Sequence, residues 1–403
     1  MLQTQPSHAV EFGKAVIGET VMDRKHPEYD PVGIRAGSFM FFPTINARAE
    51  YNDNIYADRL NPVSDAIMSV RPTVDMRSLW KRHSLRVKAS GDLAFHAKNS
   101  SEDYQDAVVD VTGRYDISEA SRISASVNAA RMHERRDSPD DAGGITPTII
   151  YRVLPTLTFD QRINRVAVRV QTALESIDFQ NVEGPGGTII NENDRDRLTW
   201  DVEGRVGYDF SSSVQGFVSG SYNIRDYRLA VDDNGFNRDS QGYGVYGGVI
   251  VELTGTISAE AYVGYRHQTY DDAQFDDVGG VGGGLNVIWA PTKLTTVTFT
   301  GERTVEETTQ SSGSGFFNTR FGVTVDHELR RNLIISLGGE YRHREYEGIA
   351  RSDDNWRGTA RVEYLLSRQF RLRAGYSYNT RSSTVLGDNF DINTAYVDLH
   401  VDY

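Results

Sequence analysis

The chain has 403 residues, and 43 Lys and Arg stand against 56 Asp and Glu, a formal charge of −13. With no basic patch, that sign excludes nucleic acid as a partner, and 0 Cys excludes a disulfide scaffold, a thiolate metal site and a cysteine nucleophile. Hydrophobic residues are 38%, too few for a large buried core, yet there are 21 Tyr and 17 Phe.

Residues 1–37 contain His26-Pro27 and Asp30-Pro31 and hold no sustained period. They read as a periplasmic N-terminal leader or a plug for a lumen. The Met1 end lacks the apolar stretch of a signal peptide, so an exported form would be a mature chain with an added Met, or one that starts late. From Ser38 to Tyr403 a second unit begins, and one pattern recurs. About ten residues alternate apolar with polar, a turn follows, and alternation resumes. Period two gives a strand one apolar and one wet face. The spans predicted in chain order are 38–51, 63–76, 83–98, 104–116, 121–134, 146–160, 163–179, 194–210 and 213–228. They continue at 239–252, 256–270, 277–290, 293–306, 315–328, 332–346, 354–366, 369–381 and 390–403. Eighteen strands result, with 16 as the alternative.

Connections alternate in length. Short turns fall at Ser118-Glu119-Ala120, Gln161-Arg162, Ser211-Ser212, Thr254-Gly255, Pro291-Thr292, Arg330-Arg331 and Ser367-Arg368. Longer polar loops fall at 52–62, 135–145, 180–193, 229–238, 271–276, 307–314, 347–353 and 382–389. Short turns on one rim and long loops on the other are the layout of an outer-membrane up-and-down β-barrel with periplasmic turns and extracellular loops. No stretch is apolar enough for a membrane-spanning helix, which leaves the barrel route open.

The apolar face needs a solvent, and aromatics mark it as lipid. Tyr115, Phe159, Tyr208, Trp289, Tyr364 and Tyr403 sit near the short-turn rim. Tyr51, Phe95, Tyr222, Tyr243, Tyr265, Phe317, Tyr341 and Tyr378 sit near the long-loop rim. Two such girdles around an aliphatic band fit two lipid interfaces. Pro43, Pro72 and Pro155 fall at outward positions inside strands, against the ladder, and call for a bulge or a strand end.

At Pro31-Val-Gly-Ile-Arg-Ala-Gly-Ser-Phe-Met-Phe-Phe-Pro43 and Glu50-Tyr-Asn-Asp-Asn-Ile-Tyr56 the chain resembles β-barrel porin family 2 of proteobacteria. The resemblance is specific at these two motifs and extends along the barrel as pattern and length. It implies an outer-membrane barrel linked to exopolysaccharide, capsule or adhesin secretion. It brings no catalytic or binding residue set with it. The C-terminal strand ending on Tyr403 similarly resembles the signal read by the barrel assembly machinery.

Other chemistry is sparse. Gly242-Tyr-Gly244-Val-Tyr-Gly247 matches G-x-G-x-x-G, but alternation continues past it and no helix follows, so it reads as a Gly-rich strand. The 9 His are scattered, so no metal site is expected. His133, His267 and His343 lie near the outer rim, where a barrel-embedded lipid hydrolase would keep one, but an interfacial role is the commoner reading. No enzyme activity and no cofactor are expected.

Inward positions carry the charge. They include Arg48, Glu50, Arg71, Arg86, Lys88, Asp92, Arg114, Arg152, Arg169, Glu203, Arg205, Glu260, Arg266, Arg320, Glu340, Arg342, Arg357, Arg361, Arg371 and Arg373. These are the candidate pore-lining residues, and their mixed signs predict no strong ion selectivity. Phe217, Tyr246, Tyr262 and Tyr396 also point inward. Each would either stack on a sugar ring or fill space over a neighbouring Gly.

The reading is a porin-like conduit, with outer-membrane lipid and lipopolysaccharide around it. It would pass a polysaccharide or a small solute, with a periplasmic polysaccharide-export component as a candidate partner. The alternative is a structural or adhesive barrel acting through its loops.

Overall fold

The computed structural model describes residues 20–308 and 313–403. Its body is one closed antiparallel barrel. The strands are β1 (Phe39–Asn52), β2 (Asp65–Ser78), β3 (Ser84–His96), β4 (Tyr104–Asp116), β5 (Ser121–His133) and β6 (Ile149–Ile163). Then come β7 (Val166–Phe179), β8 (Arg197–Asp209), β9 (Val214–Tyr227), β10 (Ser240–Leu253), β11 (Ile257–Tyr270) and β12 (Val278–Thr292). The wall ends with β13 (Thr295–Glu306), β14 (Gly315–Arg330), β15 (Leu333–Glu347), β16 (Ser352–Leu365), β17 (Phe370–Ser383) and β18 (Phe390–Asp402). Each strand pairs with its chain neighbours, and β18 pairs with β1 from Thr44–Asp402 to Asn52–Thr394, which closes the sheet. Eighteen strands leave no edge for another chain to pair with. Among the described residues no helix is long and apolar enough to cross a membrane.

Three turns differ from the sequence expectation, one of them by a single residue: β14 runs to Arg330, so the reversal falls at Arg331-Asn332 rather than Arg330-Arg331. β6 runs on to Ile163, and the reversal occurs at Asn164-Arg165 rather than Gln161-Arg162. Asn164 takes φ 53°, a left-handed value that Asn tolerates better than Gln or Arg. β12 runs to Thr292, with a register shift between Trp289 and Thr292, so the turn falls at Lys293-Leu294 rather than Pro291-Thr292. The bulge absorbs Pro291, which has no N–H for a regular rung.

The three other prolines obey the same rule. The β2–β3 ladder skips from Val70–Leu93 to Thr73–Ser90, so Pro72 lies at an interrupted rung. The β6–β7 ladder skips from Val153–Ser176 to Thr156–Ala173 around Pro155. Pro43 lies one residue beyond the end of the β1–β18 ladder. The missing donor falls where no partner waits.

The outward face is apolar from rim to rim, with exposed Ile45, Met68, Val127, Val218, Val263, Leu337 and Val397 and aromatics toward the ends. One member of the outer girdle is a correction. Phe317 is only 5% exposed and packs on Val278 and Val305. The β12–β13 ladder stops at Gly283–Arg303, and beyond it Phe317 lies over Gly280 of β12, away from lipid.

The two motifs of the N-terminal region have structural reasons. A three-residue strand, Ile34–Ala36, pairs with Phe39–Phe41 of β1. Gly33 and Gly37 flank it with φ 72° and 58°, and a Cβ on Gly33 would meet the Phe42 ring at 2.7 Å. At the other end of β1, buried Asn54 donates to the carbonyls of Asp58 and Asp391 at 2.9 and 3.0 Å. Asp53 accepts from the backbone N and Nδ2 of Asn393, both at 2.7 Å. The motif thus ties the first and last strands together at the outer rim.

Candidate functional site

Strand registers put every charged position singled out above on the inner face. Cross-strand partners follow one parity around the ring, from Arg48–Asp398 and Glu203–Gln171 through Glu302–Arg320 to Glu340–Arg357. Lys88, Asp92 and Arg114 share that parity on β3 and β4. Most of these side chains are engaged in pairs. Arg48 grips Asp398 at 2.6 and 3.0 Å, and Arg86 and Arg77 clamp Asp75 at 2.7 and 2.6 Å. Arg122 and Arg169 clamp Asp160 at 2.8 and 2.5 Å. Arg152 meets Glu175 at 2.5 Å and Arg205 meets Glu260 at 2.9 Å. Arg371 meets Asp402 at 2.8 Å and Arg373 meets Glu363 at 2.6 Å. Arg71 pairs with Asp92, Arg342 with Glu340, and Arg320 more loosely with Glu302. Paired charges in a wet lumen satisfy each other across strands and fix the wall.

Arg357 differs. Among the described residues no carboxylate lies at ion-pair distance from it, and its cross-strand neighbours are Glu340 and Asn379. Arg361 donates to Ser336 at 2.9 Å and stands 3.9 Å from Asp326.

The four inward rings lie over glycines. A Cβ on Gly248 would meet Phe217 at 2.4 Å, one on Gly264 would meet Tyr246 at 2.6 Å, one on Gly284 would meet Tyr262 at 2.6 Å, and one on Gly375 would meet Tyr396 at 2.4 Å. Arg48 covers Tyr396 at 4.1 Å from the ring centre, and Arg205 covers Phe217 at 4.2 Å. Tyr246 and Tyr262 stand at 90° to each other, 5.7 Å apart, on a cavity of about 230 Å³.

Loops from two sides enter the outer mouth, a feature that alternation alone does not reveal. The 134–148 loop folds toward β17. Asp137 pairs with Arg135 at 2.8 Å and accepts from Asn379 at 3.1 Å, and its carbonyl accepts from Arg381 at 3.4 Å. The Arg135 guanidinium outweighs burial and holds the Asp137 carboxyl well below the usual carboxylate range. Glu134 and Glu192 both hold Arg195, which docks this loop on the 180–196 loop. From the other side, Glu307 beyond β13 reaches Arg225 of β9. Arg238 donates to the carbonyls of Thr308 and Gly313 at 2.8 and 3.3 Å. Thr308 then meets Asp140 of the first loop at 3.5 Å. Beneath the 134–148 loop a cavity of about 380 Å³ lies against β14–β18 and β1, lined by Arg48, Glu50, Arg135, Arg357 and Arg361 among others.

The periplasmic mouth has its own occupant. Val21 donates its backbone N–H to Thr296 at 2.9 Å and is 1% exposed. Arg24 pairs with Glu328 at 2.5 Å, and Arg368 donates to the Pro27 carbonyl at 3.1 Å. Thr296 and Glu328 are inward positions, so residues 20–30 lie within the short-turn mouth. Residues 1–19 of the expected leader lie outside the described residues. Tyr403 is 66% exposed at the same rim, its N–H donated to the Pro43 carbonyl at 3.2 Å.

His133, His267 and His343 each face a carboxylate: Asp106 at 2.9 Å, Asp277 at 3.5 Å and Asp354 at 2.9 Å. Among the described residues no group of metal-ligating side chains gathers.

A closed barrel with an apolar belt, short turns on one rim and a charged interior defines a bacterial outer-membrane porin-like protein. The family model described as "Putative beta-barrel porin 2" matches residues 26–403, and the chain belongs to that family. No curated protein matches the sequence. Among solved structures it is similar to the outer membrane protein OpdK of Pseudomonas aeruginosa, at 12% identity and TM-score 0.46 over 90% of this chain and 99% of that one. It is also similar to a mutant of the ferric enterobactin receptor PfeA of the same organism, at 8% identity and TM-score 0.49, over 90% of this chain and 80% of that one.

Proposed function

We propose that the protein is a passive, partly occluded diffusion channel for small hydrophilic solutes with little preference for either sign of charge. The cavity beneath the 134–148 loop carries the reading. Arg48 and Arg135 there are matched by Asp398 and Asp137, Arg361 stands 3.9 Å from Asp326, and Glu50 on the same cavity offsets Arg357, so the lining is close to neutral. Charged rings select by sign, and a balanced one does so weakly. The twenty inward charges would line the path, and residues 1–37 would act as a periplasmic plug, tethered through Arg24–Glu328. Tyr403 would serve the assembly machinery, and the lumen needs no catalytic group.

A second reading, polysaccharide export, is favoured by Tyr246 and Tyr262, whose rings line the other cavity and suit the apolar face of a sugar. It requires the 134–148 loop and the β13–β14 tip to withdraw, since a polymer needs an unbroken bore. A periplasmic export component bearing on residues 20–37 would supply that trigger.

The test is single-channel recording in a planar bilayer under a salt gradient, with the intact chain and with Arg24→Ala/Glu328→Ala. Steady small steps with a reversal potential near zero support the channel, and larger steps in the variant support the plug. A folded, inserted protein that carries no current in either form overturns the reading.

A further inference from the structure

The cavity of about 230 Å³ that Tyr246 and Tyr262 face is lined by acids and bases in equal number: Asp201, Glu203 and Glu302 against Arg205, Arg266 and Arg303. Most of them answer to partners elsewhere. Arg205 meets Glu260 at 2.9 Å and Glu203 at 3.5 Å. Glu302 leans on Arg320 at 3.8 Å. Arg303 turns to Thr319 at 2.7 Å and to Glu345 at 3.8 Å, both at outward positions. That leaves Asp201 and Arg266. Among the described residues neither has an opposite charge at ion-pair distance. The cations whose charge reaches Asp201 are Arg225 and Arg266, and Arg225 is held by Glu307. The acid near it, Glu175, is held by Arg152 at 2.5 Å. Arg266 has a neutral partner, the Tyr246 hydroxyl, which accepts from its guanidinium.

The two residues stand on different strands, with a floor of short side chains between them. Asp201 of β8 registers with Asn223 of β9, and Asn223 with Gly242 of β10. One rung deeper, Arg266 of β11 registers with Gly244, and Gly244 with Ser221. From β8 to β11 is three strand spacings, each roughly 4.8 Å. No long side chain crosses that floor. Asn223 accepts from Gln268 at 3.1 Å, and Gly242 and Gly244 carry no side chain at all. An anion and a cation therefore share one small cavity without touching, and the aromatic rings lie on the cation's side of it.

We propose that this cavity is a binding site for a small zwitterion, an α-amino acid with an apolar side chain. The inference deepens the channel reading and rests on it, since a solute reaches the cavity through the lumen. Arg266 takes the carboxylate, in the forked geometry that a guanidinium favours. Asp201 takes the ammonium, with Glu203 beside it on the same face of β8. The apolar part lies on Tyr246 and Tyr262, which stand 5.7 Å apart at 90°. A lone anion or a lone cation answers one of the two residues and leaves the other to water. A sugar answers neither charge. The volume is below the roughly 300–1,000 Å³ of a drug-sized site, which suits one amino acid and excludes a longer peptide. Because the lining balances, the site recognises a dipole on a path that sorts weakly by net charge.

Equilibrium dialysis of the folded full chain in detergent, against detergent alone, reads binding without needing a current. The probes are L-leucine, 4-methylpentanoate, which lacks its ammonium, and 3-methylbutylamine, which lacks its carboxylate. L-leucine should bind, and each analogue should bind roughly tenfold more weakly or worse, as the loss of one close charge pair demands. Asp201→Asn should bring leucine down to the level of 4-methylpentanoate and leave that analogue unchanged. Arg266→Gln should do the same for 3-methylbutylamine. Variants that weaken all three probes alike overturn the assigned contacts. No binding of leucine, binding no tighter than that of either analogue, or D-glucose binding in its place overturns the site. If Arg266→Gln does not fold, the Asp201→Asn comparison and the three wild-type affinities still decide. Single-channel recording is separate. A conducting barrel that ignores leucine overturns the site alone, and a barrel that binds leucine without current overturns the channel alone.

Discussion

The two halves of the wall are built differently. From β16 through β18 to β2, inward charges meet across strands: Arg373–Glu363, Arg371–Asp402, Arg48–Asp398 and Arg71–Asp92. The seam between the first and last strands lies in this arc and is zipped by both backbone and ion pairs. From β10 to β12 the inner face is rich in glycine with rings laid over it, and the β12–β13 backbone ladder ends early. Charge pairing makes a wall that resists separation in a wet lumen. Glycine and tyrosine make a wall with little cross-strand side-chain grip, and there the strands part.

The largest effect should come from removing what fills the outer mouth. Deleting 136–146, which spares the ends of β5 and β6, should raise single-channel conductance severalfold. An unchanged conductance would mean that the loop lies beside the path. The contrast between the arcs can next be tested by adding one methyl to each. A Cβ on Gly264 would stand 2.0 Å from the Val245 carbonyl oxygen and 2.7 Å from the Tyr246 Cα, both backbone, so Gly264→Ala should destabilise the barrel by about 1–3 kcal/mol. Gly358 on β16 has nothing within 4 Å, so Gly358→Ala should be nearly neutral. Urea titration of the folded, heat-modifiable band compares them, and equal midpoints would refute the idea that the glycine arc is packed to its limit. A smaller change concerns charge alone. Arg357→Glu should move the reversal potential toward cations without changing the yield of folded barrel. No movement would place the selective charge elsewhere.

The barrel was legible because alternation is a local code. Each strand announces its own two faces, and the turn positions follow where the code pauses. Eighteen spans and the inward parity of Arg48 or Glu340 need nothing more. The errors came where another force outbid alternation. Asn164 drew the turn past Gln161-Arg162 because its backbone tolerates a left-handed φ. Phe317 alternates as a lipid-facing residue, but the β12–β13 ladder stops below it and it packs on Val278 and Val305 instead. The in-folded 134–148 loop depends on Asp137 reaching Asn379, more than 240 positions away in the chain, and no short-range period records that contact. One signal was present and unused: Arg303 is a charge at an outward position, which a continuous lipid-facing wall would not tolerate cheaply.

The smallest expected effect is a pH dependence of the outer mouth. Burial pushes the Asp141 carboxyl up to about 6, although Arg136 at 3.3 Å pulls the other way, and Glu134 and Glu102 nearby add to the rise. With the loop released to water the group would return toward 3.8. A carboxyl raised in the docked state binds its proton more tightly there, so acid favours docking. Between about 6 and 3.8 the in-folded loop gains hold as the pH falls, and above that window the ionised group weakens it. Buried Glu192 is shifted the same way and adds to the trend. The intact channel should therefore spend more time in its lowest conductance state at about pH 5 than at about pH 7.5. Asp141→Asn should dwell there at both values, with most of the difference gone. A wild-type channel that opens more as the pH falls would reverse the sign and remove the loop from the gating. In that case the glycine arc, whose ladder ends early, would be the part of the wall that moves.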